Sequence, residues 1–203
     1  MEIILASASE RRKELLKKIL QEFKVIPADI NENTAINQNE PSKIAEILAF
    51  KKAEIIAKEY PEALVIGADT VVEMKGVIYG KPKDNDDAVK ILKELKGTVQ
   101  EVITGIAIIC KKKNISLVDS EVTHVKMRND ITDEEIEHYV KSGEGKDKAG
   151  SCAVQEKGDK FIEWMKGDYY NVVGFPLEKL YRLLQKAKVR WNLEIDLIYN
   201  KLK

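Results

Sequence analysis

Long apolar runs and cysteine pairs are missing from this sequence of 203 residues. Its two cysteines, Cys110 and Cys152, are far apart and form no C-x-x-C motif. This pattern does not support a disulfide scaffold or a zinc site and fits a reduced intracellular protein. No apolar stretch reaches the length of a membrane span, and the N-terminus lacks the basic region and apolar core of a signal peptide. The sequence therefore predicts a cytoplasmic protein that does not bind membranes.

An excess of one charge is also missing, because 34 lysines and arginines balance 34 aspartates and glutamates. No overall field draws such a chain to nucleic acid or to a membrane surface, so any anion site must be local. The motifs G-x-x-x-x-G-K-[ST] and G-x-G-x-x-G are absent, which excludes a P-loop and a Rossmann dinucleotide site. Nucleic acid is therefore not an expected partner.

The residues that are present indicate a folded chain, since 44% are hydrophobic and 33% are charged. The length suits one large domain, or two small lobes that share a cleft. Short apolar stretches alternate with helical patterns in the first half, and the stretch "ALVIGADTVV" is typical of a central strand. Two further strands, "VQEVITGIAIIC" and "NISLVDSEVTHVKM", follow in the middle of the chain. The expected fold class is mixed α/β.

Local patterns predict where several helices begin. Ser7 and Glu10 match an S-x-x-E capping box, and Thr132 opens another one. Arg12 lies on the apolar face of the first helix, where a guanidinium needs an anion or a carboxylate. A second helix is expected from Pro41, with an inward face that includes Ile44, Ala45, Leu48 and Ile55.

A short strand and a loop are predicted in the second half of the chain, which also contains two histidines. The stretch "CAVQ" is interpreted as a short strand, and "GDYYNVVGFP" as a loop before a helix that begins at Leu177. His124 on a strand and His138 on a helix have no evident partners. Structural roles are expected for both histidines.

Asp69 is the most informative single residue, because an isolated carboxylate in a buried strand is costly unless it meets a cation or several donors. Lys52 lies close to the inward face of the second helix, and Lys81 precedes a proline after a turn. Each has an ordinary explanation, since Lys52 could extend past the core to water and Lys81 could be a turn lysine. Taken together, Arg12, Lys52, Lys81, Asp69 and Glu32 form the set that phosphoryl chemistry needs, with Mg²⁺ or Mn²⁺ as the metal.

The sequence resembles the Maf family of nucleoside triphosphate pyrophosphatases. The motifs that carry the resemblance, in family order from Ile3 to about Leu184, are "LASASERR", "GADTVV", "GKPKDNDDAVKILKELKG", "VITGIAI", "DKAGSCAVQ" and "GDYYNVVGFPLEKL". The resemblance implies a two-lobed α/β fold with a central cleft, related to that of inosine triphosphatases. It also implies one Maf-like domain over residues 1–189, followed by an extension of unknown role over 190–203.

The resemblance further implies metal-dependent hydrolysis of nucleoside triphosphates to monophosphate and pyrophosphate. Asp69 takes the place of the catalytic acid and a metal carboxylate, and Glu32 that of a second metal carboxylate. Ser7, Arg12, Lys52 and Lys81 match the phosphate-binding positions. The expected partner is thus a small nucleotide, and a homodimer is the oligomer considered.

Thr70 and Gln155 match the family branch that acts on dTTP and UTP, and a carboxamide suits the carbonyl and N–H edge of these bases. Four residues depart from the family pattern: Glu10, Gln100, Cys152 and Glu156. Two alternatives remain open. One is the same chemistry on modified or purine nucleotides such as 7-methyl-GTP or ITP. The other is a non-catalytic regulator of cell division or septum formation.

Overall fold

The computed structural model describes residues 1–30, 40–155 and 157–198. The strands of this part are β1 (Ile3–Leu5), β2 (Lys24–Val25), β3 (Leu64–Met74), β4 (Val77–Tyr79), β5 (Val99–Cys110), β6 (Ile115–Met127) and β7 (Ile162–Lys166). Its α-helices are α1 (Glu10–Leu16), α2 (Pro41–Glu59), α3 (Asn85–Leu95), α4 (Asp133–Ser142), α5 (Tyr169–Val173) and α6 (Leu177–Trp191). None of the helices in these ranges is long and apolar enough to cross a membrane.

The strands form a seven-stranded sheet in the order β2-β1-β3-β5-β6-β7, and β4 pairs with β3. The pairs β1–β2 and β1–β3 are parallel, whereas β3–β4 and β6–β7 are antiparallel. Parallel neighbours need a crossover, and α2 lies in the chain between β2 and β3. The mixed α/β class expected from the sequence is confirmed.

The chain divides into two compact units. The first consists of Met1–Asp69, Thr104–Glu121 and Gly174–Lys203. In this unit, α2 packs directly on the sheet, because small residues meet at the contact. An added Cβ at Gly67 of β3 would lie 2.3 Å from the carbonyl oxygen of Ala49, and one at Gly105 of β5 would lie 2.3 Å from that of Ala45. Backbones this close leave no room for side chains on the sheet side.

The second unit consists of Thr70–Ile103 and Val122–Val173. Its core joins residues of α3, α4 and the strands, including the fully buried Leu92, Ile136 and Phe161. The Tyr139 ring meets the Phe161 ring edge-on, with 5.2 Å between centroids and 73° between planes. The helix α4 that carries Tyr139 begins with the expected capping box at Thr132, with both of its reciprocal hydrogen bonds present.

The first helix begins two residues later than expected. Ser9, not Ser7, is its N-cap, and its side chain accepts from the Arg12 N–H. Ser7 Oγ instead accepts from the Ser9 N–H at 3.2 Å. The capping box predicted at Ser7 and Glu10 is therefore wrong. A short hydroxyl side chain that binds a main-chain N–H two residues ahead stabilises a turn before the helix, and that local bond competes with the cap.

The predicted strand "CAVQ" is also wrong, because Val154 and Gln155 lie in a turn. A 3₁₀ turn over Ala149–Ser151 precedes it, and Gly150 and Ser151 both have positive φ values, +67° and +56°. This left-handed backbone diverts the chain from an extended path. The strand β7 and the short helix α5 are present where no regular element, or only a loop, was expected.

Two smaller expectations are corrected by packing. Ile55 is 39% exposed, so its predicted place on the inward face of α2 is wrong, whereas the other three predicted residues, Ile44, Ala45 and Leu48, are buried. His124 has a partner, since its Nε2 lies 3.2 Å from Oε1 of Glu101. The cleft between two lobes and the boundary after residue 189 stay predictions.

Candidate functional site

Asp69 and Lys52 form an ion pair within the first unit. Asp69 lies on β3 and is 7% exposed, while Lys52 lies on α2 and is 9% exposed. The Lys52 Nζ donates directly to Oδ1 of Asp69. The close approach of α2 to Gly67, two residues before Asp69, brings the lysine to this strand. The cation that a buried Asp69 was expected to require is therefore Lys52.

Arg12 lies beside the same strand. Its Nη1 donates to the Ala68 carbonyl at 2.8 Å, and its Nε donates to the Gly174 carbonyl at 2.8 Å. Main-chain carbonyls thus supply part of the compensation for which an anion was expected. Because Ala68 immediately precedes Asp69 in β3, the Arg12 guanidinium is bound to the residue next to the one that carries the carboxylate.

Ser7 follows β1, which is the parallel neighbour of β3. The Ala6 N–H donates to the Ile66 carbonyl at 2.8 Å, which extends the pairing to the residue before Ser7. Ser7 is 7% exposed. The first unit therefore collects four of the predicted site residues around one end of the β1–β3 pair: Ser7, Arg12, Lys52 and Asp69.

The remaining described candidates belong to the second unit. Thr70 follows Asp69 on β3, Lys81 is exposed in the bend after β4, and Gln155 is exposed in its turn. The Gly150 N–H donates to the Gly80 carbonyl at 3.1 Å, so the segment that leads to Gln155 is tied to the one that carries Lys81. Glu32 and Glu156 lie outside the described residues.

The described residues hold no group of three or more His, Cys, Asp or Glu side chains that could bind a metal ion. Magnesium usually keeps several waters and binds through one or two carboxylates together with substrate phosphates. Asp69 provides one such carboxylate, so the residues fit a metal that arrives with a polyphosphate.

Cys152 is not suited to nucleophilic chemistry. Burial, and next the negative charge of Asp159, raises the pKa of the Cys152 thiol to about 12. At neutral pH the thiol is therefore protonated, and the thiolate is the reactive form. Its sulfur lies 3.6 Å from the Gly158 carbonyl oxygen, which places Cys152 in the packing of the turn.

Sequence reasoning missed the two carbonyls that hold Arg12. Every residue carries a carbonyl, so no residue type marks Ala68 or Gly174 for this role. Only the spatial neighbourhood of Arg12 reveals them, since Gly174 is 162 positions away in the sequence.

The fold resembles that of a solved protein. The structure of the Staphylococcus aureus Ham1 protein superposes with a TM-score of 0.55 at 18% sequence identity, over 93% of this chain and 100% of that one. At this identity the likeness shows the fold alone. The fold class is thus that of Ham1-like α/β proteins, as the resemblance to inosine triphosphatases implied.

The family follows from the sequence comparisons. A sequence profile described as Maf-like protein matches residues 2–187. The chain belongs to the Maf family. It is 45% identical over 184 residues to a dTTP/UTP pyrophosphatase of Ruminiclostridium cellulolyticum, covering 91% of this chain and 95% of that protein. It is 46% identical to a dTTP/UTP pyrophosphatase of Clostridium novyi, covering 90% of this chain and 96% of that protein.

Proposed function

We propose that this protein is a nucleoside triphosphate pyrophosphatase that hydrolyses dTTP and UTP to the nucleoside monophosphate and pyrophosphate. The names and high coverage of its relatives support the reaction and the substrate class. The observation that carries the proposal is the buried Lys52–Asp69 pair with Arg12 on the adjacent carbonyl. One carboxylate beside two cations is an arrangement that can activate water next to a polyphosphate.

The roles of the residues follow from their chemistry. Asp69 accepts the proton of the attacking water, and Lys52, whose ammonium touches that carboxylate, donates to a phosphate oxygen from the same position. Arg12 is held in place by two carbonyls, and its guanidinium binds oxygens of the triphosphate. Ser7 and Lys81 add donors along the phosphate chain.

A divalent ion, Mg²⁺ or Mn²⁺, would be held by Asp69 and Glu32, and when bound it would neutralise charge on the phosphate oxygens. Asp69 is nearly buried, so its carboxylate is shielded from bulk water. Buried charge interacts more strongly with a second charge than exposed charge does. The Asp69 carboxylate is therefore suited both to holding the metal ion and to accepting the proton of the attacking water.

Thr70 and Gln155 provide the base preference in this proposal. A hydroxyl and a neutral carboxamide can satisfy the carbonyl and ring N–H of uracil or thymine without a charge. A positively charged 7-methylguanine would favour an acid at this place. The wrong base leaves polar groups unpaired, which makes a preference of about tenfold to a hundredfold physically reasonable.

The test is a product assay with a panel of nucleotides. With Mg²⁺ or Mn²⁺ we expect dTTP and UTP to give monophosphate and pyrophosphate faster than GTP, ITP or 7-methyl-GTP, and EDTA to stop the reaction. Release of diphosphate and orthophosphate would contradict cleavage between the α- and β-phosphates. Equal turnover of UTP and 7-methyl-GTP would support the alternative substrates. Nucleotide binding without turnover would support a regulator.

The role of Asp69 is tested by Asp69→Asn, which keeps the shape and removes the charge. We expect the rate of UTP hydrolysis to fall about 100-fold or more, because the proton acceptor and metal carboxylate is lost. Asp133→Asn is the matched control, since Asp133 also pairs with a lysine, Lys93 at 2.7 Å, but is exposed. Near-normal turnover of the Asp69 variant, checked for folding by circular dichroism, would mean that another group carries the chemistry.

A further inference from the structure

The main chain is anchored on both sides of Gln155. Two residues before it, the Ala153 N–H donates to the Tyr139 hydroxyl at 2.7 Å. Two residues after it, the Lys157 N–H donates to Oε2 of Glu144 at 3.0 Å. The Lys157 Nζ also lies 3.0 Å from Oε1 of Glu144. The exposed Gln155 thus lies between two hydrogen-bonded positions of the main chain.

Both acceptors belong to α4 or to the turn that ends it. Tyr139 is 1% exposed, and its ring packs on Phe161. The helix ends at Gly143, whose φ of +79° suits glycine, and Glu144 follows directly. The Glu144 side chain is 13% exposed. The two anchors therefore start from a capped helix packed in the core of the second unit.

A purely structural explanation covers only part of this arrangement. Ala153 is 5% exposed, so its N–H would need an acceptor in any fold, and a tyrosine hydroxyl can serve. Lys157, in contrast, is exposed, with a side chain that is 59% exposed, so burial of this residue does not by itself require an anchor here. The hydrogen bond at this exposed position therefore serves mainly to fix the path of the main chain.

We propose that Tyr139 and Glu144 are positioning residues that hold the main chain on both sides of Gln155 and thereby set the preference for pyrimidine nucleotides. This inference rests on the proposed function in one respect, the contact of Gln155 with the base. A hydrogen bond to a base edge tolerates only a few tenths of an ångström in length. A carboxamide on a loosened turn would meet this condition less often, so base recognition would suffer before phosphate chemistry does.

The test compares two tyrosines of the same core that each lose one hydroxyl. Tyr139→Phe removes the acceptor of the Ala153 N–H and retains the ring contact with Phe161. Tyr79→Phe is the control, since its hydroxyl donates to Oε2 of Glu94 at 3.1 Å and is neither of the two acceptors that hold the main chain around Gln155. For Tyr139→Phe we expect kcat/KM for UTP and dTTP to fall about three- to tenfold through KM, with the value for GTP nearly unchanged. For Tyr79→Phe we expect the ratio of UTP to GTP to stay that of the unmodified protein.

A double-mutant cycle separates positioning from general loosening. If Tyr139 acts through Gln155, Tyr139→Phe should not change the UTP-to-GTP ratio once Gln155→Ala is present. If Tyr139→Phe folds poorly, Glu144→Ala provides the same measurement. Its control is Glu137→Ala, on the exposed face of α4. The inference alone would be overturned if the wild-type protein hydrolyses UTP but the variants keep its UTP-to-GTP ratio, or lower kcat/KM equally for all substrates. A wild-type protein without turnover would overturn the proposed function as well.

Discussion

Lys52 and Asp69 illustrate what an individual buried charge requires. Both side chains are about a tenth exposed, at 11% and 10%, so their attraction is screened little by water. Desolvation of two ions costs about as much as their attraction returns, and such pairs are therefore weak contributors to stability compared with apolar residues. A pair of this kind is better explained by the reaction proposed for it than by the fold.

The coupling within the pair can be measured. Lys52→Met leaves the Asp69 carboxylate without its cation, and we expect the free energy of unfolding to fall by about 3 kcal/mol in urea titrations. The double variant Lys52→Met with Asp69→Asn should be more stable than the sum of the single effects implies, because both charges are gone. Lys93→Met, which breaks the exposed pair with Asp133, should move the unfolding midpoint little. Additive single effects would contradict the coupling.

At the scale of elements, the position of α2 decides whether Lys52 reaches Asp69. The helix meets the sheet through four fully buried alanines, Ala45, Ala49, Ala53 and Ala57. They recur every four residues, which places them on one side of the helix. Glycines on the facing strands complete the contact, so helix and strand backbones approach each other closely.

Gly67→Ala should therefore displace α2. The new Cβ would lie 2.3 Å from the Ala49 carbonyl oxygen and 2.8 Å from the Ala53 nitrogen, both of them backbone atoms that cannot rotate away. We expect a loss of about 3 kcal/mol or more in unfolding free energy, together with a large loss of turnover. Gly76→Ala is the control, since its φ of +83° gives strain of about 1 kcal/mol but nothing lies within 4 Å. Equal destabilisation by the two substitutions would argue against close packing at Gly67.

At the scale of the whole molecule, the residues after α6 return to the N-terminal part of the first unit. Leu193 and Ile195 are 4% and 2% exposed. Leu197 forms an antiparallel bridge with Leu20, and the Ile198 N–H donates to the Ile19 carbonyl at 3.0 Å. The Lys188 Nζ also donates to the Ile195 carbonyl at 2.7 Å. The described part of the expected extension, up to residue 198, is thus packed against the rest of its unit.

Truncation of these apolar side chains should lower stability without changing chemistry. For Leu193→Ala with Ile195→Ala we expect the free energy of unfolding to fall by about 4 kcal/mol, because two buried aliphatic side chains are removed. The kcat for UTP should stay the same, since neither residue belongs to the candidate site. Val189→Ala, at a position that is 84% exposed, is the control and should be neutral. A changed kcat in the folded double variant would connect this segment to the site.

Features that depend on neighbours in the chain could be predicted from the sequence. The capping box at Thr132, the strand around Asp69 and the helix from Pro41 all arise from patterns a few residues long, and each is present as expected. The mixed α/β class follows from the order of such elements. The resemblance also identified the family, because its motifs are spread over most of the chain.

Contacts between distant parts of the chain could not be predicted in this way. Lys52 and Asp69 are 17 positions apart, and Arg12 and Gly174 are 162 apart. Which side chains meet at such separations depends on how the elements pack, which for Lys52 and Asp69 means the packing of α2 on Gly67. The turn at Gln155 has the same origin, because Tyr139 and Gly80 hold it from elements far away in sequence. Local propensity favours a strand there, and long-range hydrogen bonds with a left-handed backbone at Gly150 and Ser151 outweigh it.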